Sequence, residues 1–288
     1  MKSYLYHNRP HDIRRGFTVV EVLVAITIIA ILAAILTPVV GSALRRANEF
    51  AIESEMSQLD LAIEHFKSDN GFYPPSFASF DSADDILPYL NRLAPNHAEG
   101  NGGVGTRLKN WWDQVGSDLA KKDASGDLVN PGASLVFWLS GIAKNKQYPL
   151  TLPADGLVAL SGYNRLDENV ERNAYFEFSA DRLDTPPNAD TVKIQHYLQA
   201  RGPAEPYLYL DSGSYGTAGG YCENGNPPQP FFNPTSFQLV AAGLDGQIGN
   251  TANGGLIASQ CGPRGMDNII NFVGEGVGKL ETKALGID

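Results

Sequence analysis

One long apolar run that contains a single carboxylate constrains this chain more than any other feature. Between Phe17 and Val40 the only charged residue is Glu21. As an α-helix the run would be roughly 36 Å long, enough to cross the ~30 Å hydrocarbon core of a bilayer. An ionised side chain in hydrocarbon is costly unless it is paired. The run therefore predicts a membrane-spanning helix in which Glu21 needs a partner.

A basic leader precedes the run. Residues 1–16 contain Lys2, Arg9, Arg14 and Arg15 against Asp12, so the leader carries +3 of a net charge of -10 and the rest carries -13. A basic flank before an apolar run is typical of targeting segments and predicts that the leader faces the cytoplasm. The acidic remainder argues against a nucleic-acid-binding role.

Three simple interpretations of the run compete. An ordinary secretory signal has an apolar core of about 7–15 residues, which is shorter than this one, although Gly41–Ala43 would pass as a cleavage site. The paired Arg14 and Arg15 fit a twin-arginine export signal, but the length of the run and Glu21 do not. A plain membrane anchor gives no reason for Glu21.

Cleavage between Gly16 and Phe17 would give Glu21 a partner. It would create a positive α-amino group at Phe17, four residues before the carboxylate. A buried ammonium and a buried carboxylate neutralise each other, whereas either alone is costly. If such helices packed side by side, Glu21 of one chain would meet the Phe17 amine of the next and set the register of an assembly.

These residues resemble the start of type IV pilins and of the pseudopilins of type II secretion. Their signature is a short basic leader ending in Gly, then Phe, a Glu at the fifth mature position and an apolar helix, and RRGFTVVEVLVAITIIAILAAI matches each point. Such helices commonly carry a proline where this chain has Pro38. The resemblance implies that a membrane-embedded prepilin peptidase cleaves after Gly16 and methylates Phe17. It also implies assembly roles for Phe17, Glu21 and Pro38.

The resemblance implies an α+β fold. A long N-terminal helix, first transmembrane and then amphipathic, would pack on a small antiparallel C-terminal β-sheet, with a loop-rich subdomain inserted between them. The expected division of the chain is a leader (1–16), a transmembrane and polymerisation helix (17–40), the amphipathic second half of that helix (41–72), an inserted variable region (73–200) and a C-terminal sheet with an Asp-Gly loop (201–288).

The second half of the helix carries an apolar stripe with spacings of four and three residues, which predicts a buried face. Its members are Ile52, Met56, Leu59, Ile63 and Phe66. Acidic residues lie between them, namely Glu49, Glu53, Glu55, Asp60 and Glu64. Pro38 and Gly41 are expected to interrupt or soften the helix before the stripe. Gly71, followed by Pro74 and Pro75, is expected to end it.

The middle of the chain gives fewer signals. Asp81–Pro95 predicts a short helix, and Asn130–Ile142 predicts a buried helix with Trp138 in the core. The alternation in Ala174–Leu183 predicts a strand.

Two further features of the middle region have simple interpretations. Gly100–Gly105 fits the pattern G-x-G-x-x-G, but no predicted strand precedes it, so it indicates a loop rather than a nucleotide site. Trp111 and Trp112 lie beside basic residues. Core packing is the simpler explanation for them, and an exposed aromatic contact site is the alternative.

The C-terminal region predicts a sheet and a metal site. Pro206–Gly213 and Ser236–Asn250 each predict a strand, and Met266–Phe272 a short final strand or helix turn. This order resembles the C-terminal part of major pseudopilins, in which the Asp-Gly loop binds one calcium ion. The resemblance implies that Asp245 and Asp267 are ligands, together with backbone carbonyls, and calcium prefers such oxygen ligands. The alternative is an Asp-Gly hairpin turn without metal.

The two cysteines, Cys222 and Cys261, fall on the exported side of the apolar run. If they pair, they close a loop of about 40 residues, which stabilises by roughly 4 kcal/mol in the chain-entropy model. The alternative is two isolated thiols.

The resemblance implies a structural subunit of a type II secretion pseudopilus. It would sit in the bacterial inner membrane with its C-terminal domain in the periplasm, and then enter a filament that drives protein export. Implied partners are other copies, minor pseudopilins, the prepilin peptidase, a platform protein and an assembly ATPase. Alternatives are a type IV pilus subunit, or a membrane-anchored binding or enzymatic domain with a borrowed signal. The sequence contains no HExxH, G-x-S-x-G or Walker motif, and we expect no enzymatic activity.

Overall fold

A computed structural model describes the chain from residue 16 onward, with gaps. The described residues are 16–98, 105–117, 120, 132–150, 171–184, 196–215, 220–221, 231–248, 268–272 and 278–279. The chain divides into two compact units, Met1–Ala47 and Asn48–Asp288. We call the second unit the body.

The first element is one helix of 52 residues, α1 (Val19–Asn70), which runs through Pro38 and Gly41. The predicted interruption at these two residues is therefore wrong. A proline inside a helix removes one hydrogen bond and costs about 3 kcal/mol, but the flanking turns supply bonds on both sides, and helix propagation is cooperative. The predicted end is confirmed, since Gly71 adopts φ +78° and its N–H donates to the Lys67 carbonyl at 2.7 Å.

The apolar stripe of α1 is the centre of the body's core. All five of its members, Ile52, Met56, Leu59, Ile63 and Phe66, are buried. They share one hydrophobic cluster with residues of the middle region and of the sheet. The predicted amphipathic face is confirmed.

Three short α-helices follow in the described part of the body. They are α2 (Leu87–Leu93), α3 (Gly105–Trp111), which continues into a π-helical turn, and α4 (Ala133–Leu139). The helices predicted in Asp81–Pro95 and Asn130–Ile142 are confirmed. Gly105 starts a helix, and the rest of the glycine-rich stretch before it lies outside the described residues.

Aromatic side chains from these helices fill the core. Trp111 and Trp138 are fully buried, so the core-packing interpretation of Trp111 is confirmed, and Trp112 is half-buried. The Trp138 indole lies parallel to Phe77 at 5.9 Å, and its Nε1 donates to the Pro75 carbonyl at 2.9 Å. The second contact satisfies a donor that burial would otherwise leave without a partner.

The described strands form two antiparallel sheets. The small one pairs β1 (Leu183–Asp184) with β2 (His196–Tyr197). The larger one has the order β3-β4-β5-β6, with β3 at Leu208–Asp211, β4 at Phe237–Ala241, β5 at Ile269–Ile270 and β6 at Gly278–Lys279. Strands predicted in Pro206–Gly213, Ser236–Asn250 and Met266–Phe272 are confirmed. The last of these is not final, because β6 follows it.

The larger sheet is buried on both faces. Tyr209, Leu239 and Ile269 belong to the cluster that contains the stripe of α1. Their neighbours along the strands, such as Leu210 and Val240, belong to a second cluster that includes Tyr221 and Phe272. Residues of a strand alternate between faces, so this division places α1 on one face of an antiparallel sheet. The fold is α+β, as predicted.

The strand predicted over Ala174–Leu183 is wrong except at its last residue, which begins β1. The backbone N–H groups of Tyr175 and Phe176 both donate to the Leu139 carbonyl at the end of α4, at 2.8 and 3.2 Å. Phe176 and Phe178 both pack on the ring of Tyr197. The alternating aromatic pattern thus arises from a loop held against the core rather than from a strand.

Candidate functional site

The bond predicted to be cleaved lies in an exposed segment before α1. Gly16 and Phe17 precede the helix, and the Phe17 side chain is 85% exposed. A Cβ added at Gly16 would meet no atom within 4 Å. Nothing in the described structure therefore shields this bond from a peptidase.

Glu21 completes a capping box at the start of α1. Its Oε2 accepts hydrogen bonds from the Thr18 backbone N–H at 2.8 Å and from Thr18 Oγ1 at 2.7 Å. In return, the Glu21 N–H donates to Thr18 Oγ1 at 3.2 Å. This reciprocal arrangement satisfies donors that a helix start leaves unpaired. Glu21 therefore has a local structural role in a single chain, which the sequence analysis did not identify.

The helix that follows exposes an apolar surface. Large aliphatic side chains from Val19 to Leu44 are about half or more exposed. By length and composition α1 is able to cross a membrane, and none of its most apolar stretch is buried. Pro38 lies inside this segment, where the hydroxyl of the preceding Thr37 bonds back to the Ala33 carbonyl at 2.7 Å. The segment thus presents few unsatisfied polar groups, as hydrocarbon requires.

The Asp-Gly loop after β4 is the second predicted site. Gly243 and Gly246 both have positive φ, at 71° and 72°, and Asp245 Oδ1 accepts the Gln247 N–H at 2.8 Å. Asp267, Cys222 and Cys261 lie outside the described residues. Among the described residues, no group of three or more His, Cys, Asp or Glu side chains is placed to hold a metal ion.

Two buried amides hold the carbonyls of this loop. Gln199 Nε2 donates to the Gly243 carbonyl at 2.7 Å, and Asn268 Nδ2 donates to the Ile248 carbonyl at 3.2 Å. The other atom of each amide, Gln199 Oε1 and Asn268 Oδ1, is buried and has no hydrogen-bond partner within the described part of the chain. Buried acceptors without a partner are uncommon in folded proteins.

Comparisons with known proteins agree with the N-terminal geometry. The model of the prokaryotic N-terminal methylation motif matches residues 13–37, which contain Gly16, Phe17, Glu21 and the start of α1. The N-terminus of this chain therefore carries the sequence of that motif. The family resemblance inferred from these residues is thus confirmed.

Two curated proteins extend the pilin-like similarity. The type II secretion system core protein G of Escherichia coli (strain K12) is 33% identical over 89 residues, which are 31% of this chain and 61% of that protein. The type IV wide pilus major component PilA4 of Thermus thermophilus is 37% identical over 68 residues, 24% of this chain and 52% of that protein. The chain thus spans between half and two thirds of these relatives. No solved structure matches this chain.

A buried ionic cluster in the body was not predicted. Glu55 of α1 is buried and bonded to Arg182, to Tyr197 OH at 2.8 Å and to Tyr207 OH at 2.6 Å. Arg182 Nη1 lies 2.6 Å from Glu55 Oε2, and Nη2 contacts Glu55 Oε1 and Tyr197 OH. The cluster ties α1 to Arg182 just before β1, to Tyr197 of β2 and to Tyr207 just before β3.

Opposing effects set the pKa of Glu55. Burial alone raises it, but hydrogen bonds from Arg182, Tyr207 and Tyr197 outweigh burial, so the pKa is lowered. Burial also raises the pKa of Tyr197 to about 12, and its hydrogen bond to Glu55 adds to this effect. The cluster therefore consists of a carboxylate, a guanidinium and two neutral phenols throughout the neutral range.

The buried His196 is expected to make the free energy of unfolding fall in acid. Burial lowers its pKa to about 4 from an ordinary 6.5, with Asp184 opposing the change. Between pH 4 and pH 6.5 the unfolded chain therefore binds a proton at His196 that the folded chain does not. The contribution of neutral His196 to the free energy of unfolding is fully present above pH 6.5. It falls by about 3 kcal/mol in all as the pH drops toward 4. Denaturant melts of the full-length protein at pH 7 and pH 4.5 measure this loss. His196→Gln should flatten the dependence by that amount, and an unchanged slope would contradict the assignment.

Proposed function

We propose that this chain is a structural subunit of a type II secretion pseudopilus, made as a membrane-inserted precursor and assembled into a helical filament that drives protein export. The observation that carries the proposal is the methylation motif placed on a helix whose apolar surface is exposed. Such a surface needs a bilayer before assembly and other helices after it. The similarity to the secretion-system core protein G supports this reading.

Processing would prepare the N-terminus for assembly. Hydrolysis of the Gly16–Phe17 bond leaves a protonated amine on Phe17, which methylation keeps basic. In the single chain, Glu21 Oε2 accepts both hydrogen bonds from Thr18. No group in the described part of the chain donates a hydrogen bond to Glu21 Oε1. The second oxygen would accept the Phe17 ammonium of a neighbouring copy, while the capping box persists.

The proposed function also implies a cellular location and a set of partners. The basic leader stays in the cytoplasm and the body lies in the periplasm of a bacterium with an inner membrane. The prepilin peptidase, a platform protein and an assembly ATPase would process the subunit and extract it from the bilayer. Minor pseudopilins would share the filament. The role is structural rather than enzymatic, as the names of the two relatives also suggest.

A type IV pilus subunit is the second candidate. It is favoured by the 37% identity to PilA4, a pilus component. Both candidates use the same processing and helix packing, and they differ in the machine that assembles the filament. Deletion of the gene separates them, because a pseudopilus subunit is required for export of the cell's secreted enzymes and a pilus subunit is not.

The first test is the N-terminus of the protein purified from its own membranes. We expect intact mass and N-terminal sequencing to show a chain that begins at methylated Phe17. Gly16→Val should leave the leader attached, whereas Gly41→Val, at another exposed glycine with no neighbouring atom within 4 Å, should be processed normally. A chain beginning at Leu44 would identify an ordinary secreted protein and overturn the proposal.

We also propose that the Asp-Gly loop binds one calcium ion. Asp245 and Asp267 would supply carboxylates and the loop its carbonyls. The buried Oδ1 of Asn268, the residue after Asp267 in the sequence, would supply a further oxygen. Oxygen donors of this kind suit calcium, and the left-handed glycines let the backbone turn toward a common centre.

Thermal melts test the calcium proposal. A ligand that binds only the folded state at 100 times its dissociation constant stabilises by about 2.7 kcal/mol, or roughly 5–10 °C in a domain of this size. We expect that difference between full-length protein in calcium and in chelator. Asp245→Asn keeps the acceptor for Gln247 but loses the charge, so it should abolish the difference. Identical melts of the unsubstituted protein would exclude the site.

A further inference from the structure

A buried glutamine holds the backbone of the Asp-Gly loop. Gln199 is 5% exposed, and its Nε2 donates to the Gly243 carbonyl at 2.7 Å and to the Pro203 carbonyl at 3.1 Å. Because both neighbours are carbonyl oxygens, only the NH2 end of the amide can face them. Gly243 is itself buried, so loss of this donor would leave a buried carbonyl without the hydrogen bond it has now.

The segment that carries Gln199 is a closed loop between β2 and β3. We call residues 199–205 the Gln199–Glu205 loop. The Gln199 N–H donates to the Glu205 carbonyl at 2.9 Å, and the Glu205 N–H donates to the Pro203 carbonyl at 2.8 Å. Since β3 and β4 are antiparallel, the start of β3 lies beside the end of β4. This pairing brings the Gln199–Glu205 loop to the Asp-Gly loop.

Two glycines let the two loops approach each other closely. Gly202 has φ +87°, and a Cβ added there would lie 3.1 Å from the Gly243 carbonyl oxygen. Gly246 has φ +72°, and a Cβ added there would lie 2.7 Å from Pro203 Cβ. A side chain at either position would push the loops apart, and the positive φ would strain it as well. The contact is therefore built from both loops and at more than one point.

We propose that Gln199 is a positioning residue for the Asp-Gly loop. Its amide fixes the Gly243 carbonyl, and with it the turn that carries the exposed Asp245 two residues later. The consequence for calcium rests on the calcium proposal made above. A loop that the chain already holds in shape has less freedom to lose when a ligand binds. Gln199 would therefore raise the affinity of the loop for calcium.

Hydrogen exchange of the full-length protein in chelator, followed by mass spectrometry, tests the positioning role without metal. Gln199→Met keeps the length of the side chain and removes the donor. We expect the amides of residues 242–248 to exchange about tenfold faster in this variant, with exchange in α1 unchanged. Gln58→Met, the same substitution at an exposed site, should change neither region. Gln199→His keeps an N–H donor and should restore most of the protection.

Calcium affinity gives a second measurement on the same proteins. Calorimetric titration with calcium, at a temperature where every variant is folded, should show binding about tenfold weaker in Gln199→Met than in the unsubstituted protein. Gly202→Ala should weaken binding in the same direction, because its Cβ would separate the two loops. Gln58→Met should bind calcium as the unsubstituted protein does.

The possible outcomes separate this proposal from the calcium proposal. Unchanged exchange at residues 242–248 in Gln199→Met, or a rise spread evenly over the body, would overturn the positioning role. Faster exchange there with unchanged calcium affinity would overturn the role of Gln199 in calcium binding. Faster exchange in a protein that binds no calcium at all would overturn the calcium proposal and leave the positioning role standing.

Discussion

Replacing Glu55 by alanine is expected to lower the free energy of unfolding by about 3 kcal/mol. Removal of one partner from a buried ion pair costs about 3–5 kcal/mol because the other charge stays buried without compensation. Here that charge is Arg182, which is half-buried, so the value falls at the lower end of the range. Tyr197 and Tyr207 would lose their acceptor as well.

Urea unfolding of the full-length protein in detergent measures the effect. Glu55→Gln should lower the free energy of unfolding less than Glu55→Ala, because the amide oxygen still accepts a hydrogen bond from one tyrosine. Some loss should remain, because the amide nitrogen cannot pair with Arg182. The matched control is Glu64→Gln on the same helix, where the carboxylate pairs with Lys67 at 3.9 Å and both side chains are nearly half exposed. Exposed pairs contribute little. Equal losses at positions 55 and 64 would show that the buried cluster is not a stabilising element.

The same residue shows what local sequence patterns convey and what they miss. The stripe from Ile52 to Phe66 was predictable because four-and-three spacing places residues on one side of a helix. That geometry also puts Glu55, three residues after Ile52, on the buried side, so its place could have been predicted from spacing alone. Its partners could not have been. Arg182 and Tyr207 lie 127 and 152 residues away in the sequence, and no local rule connects them.

Errors in the fold prediction have a similar origin. The alternation at Tyr175–Phe178 imitates a strand, yet tertiary bonds to the end of α4 decide the conformation. Strand β6 has only two paired residues and no pattern of its own. Pro38 has a strong local effect, but a helix of 52 residues tolerates it. Long periodic elements were therefore predictable, and short ones that depend on distant partners were not.

The N-terminal site was predictable because its chemistry is contained in a few consecutive residues. Gly16, Phe17 and Glu21 lie within six consecutive residues, and the match to the methylation motif covers all three. Their roles in processing and assembly stay predictions. The proposed metal site differs, since Asp245 and Asp267 are 22 positions apart in the sequence and only Asp245 is described. The calcium ligands and the cysteine pairing stay predictions.

Glu21→Ala is expected to abolish filament assembly while the body stays folded and the precursor is still inserted in the membrane. The substitution removes the only carboxylate between Phe17 and Val40. Without it, the ammonium on the processed Phe17 would be buried among apolar helices with no partner. An unpaired buried charge is strongly destabilising. Sheared filament fractions and secretion of the cell's exported enzymes measure the loss, and circular dichroism of the purified chain verifies the fold.

The capping box supplies the control that makes this experiment decisive. Glu21 bonds to Thr18 in the single chain, so a loss of assembly in Glu21→Ala has two explanations, a missing charge or a weakened helix start. Thr18→Val removes the hydroxyl of the box and keeps the carboxylate, whereas Glu21→Gln keeps an acceptor for Thr18 and removes the charge. If Glu21 pairs with a neighbouring amine, Glu21→Gln should fail to assemble and Thr18→Val should assemble. The reverse pattern would mean that Glu21 acts only as a helix cap, and the register of the filament would then have to come from side-chain packing alone.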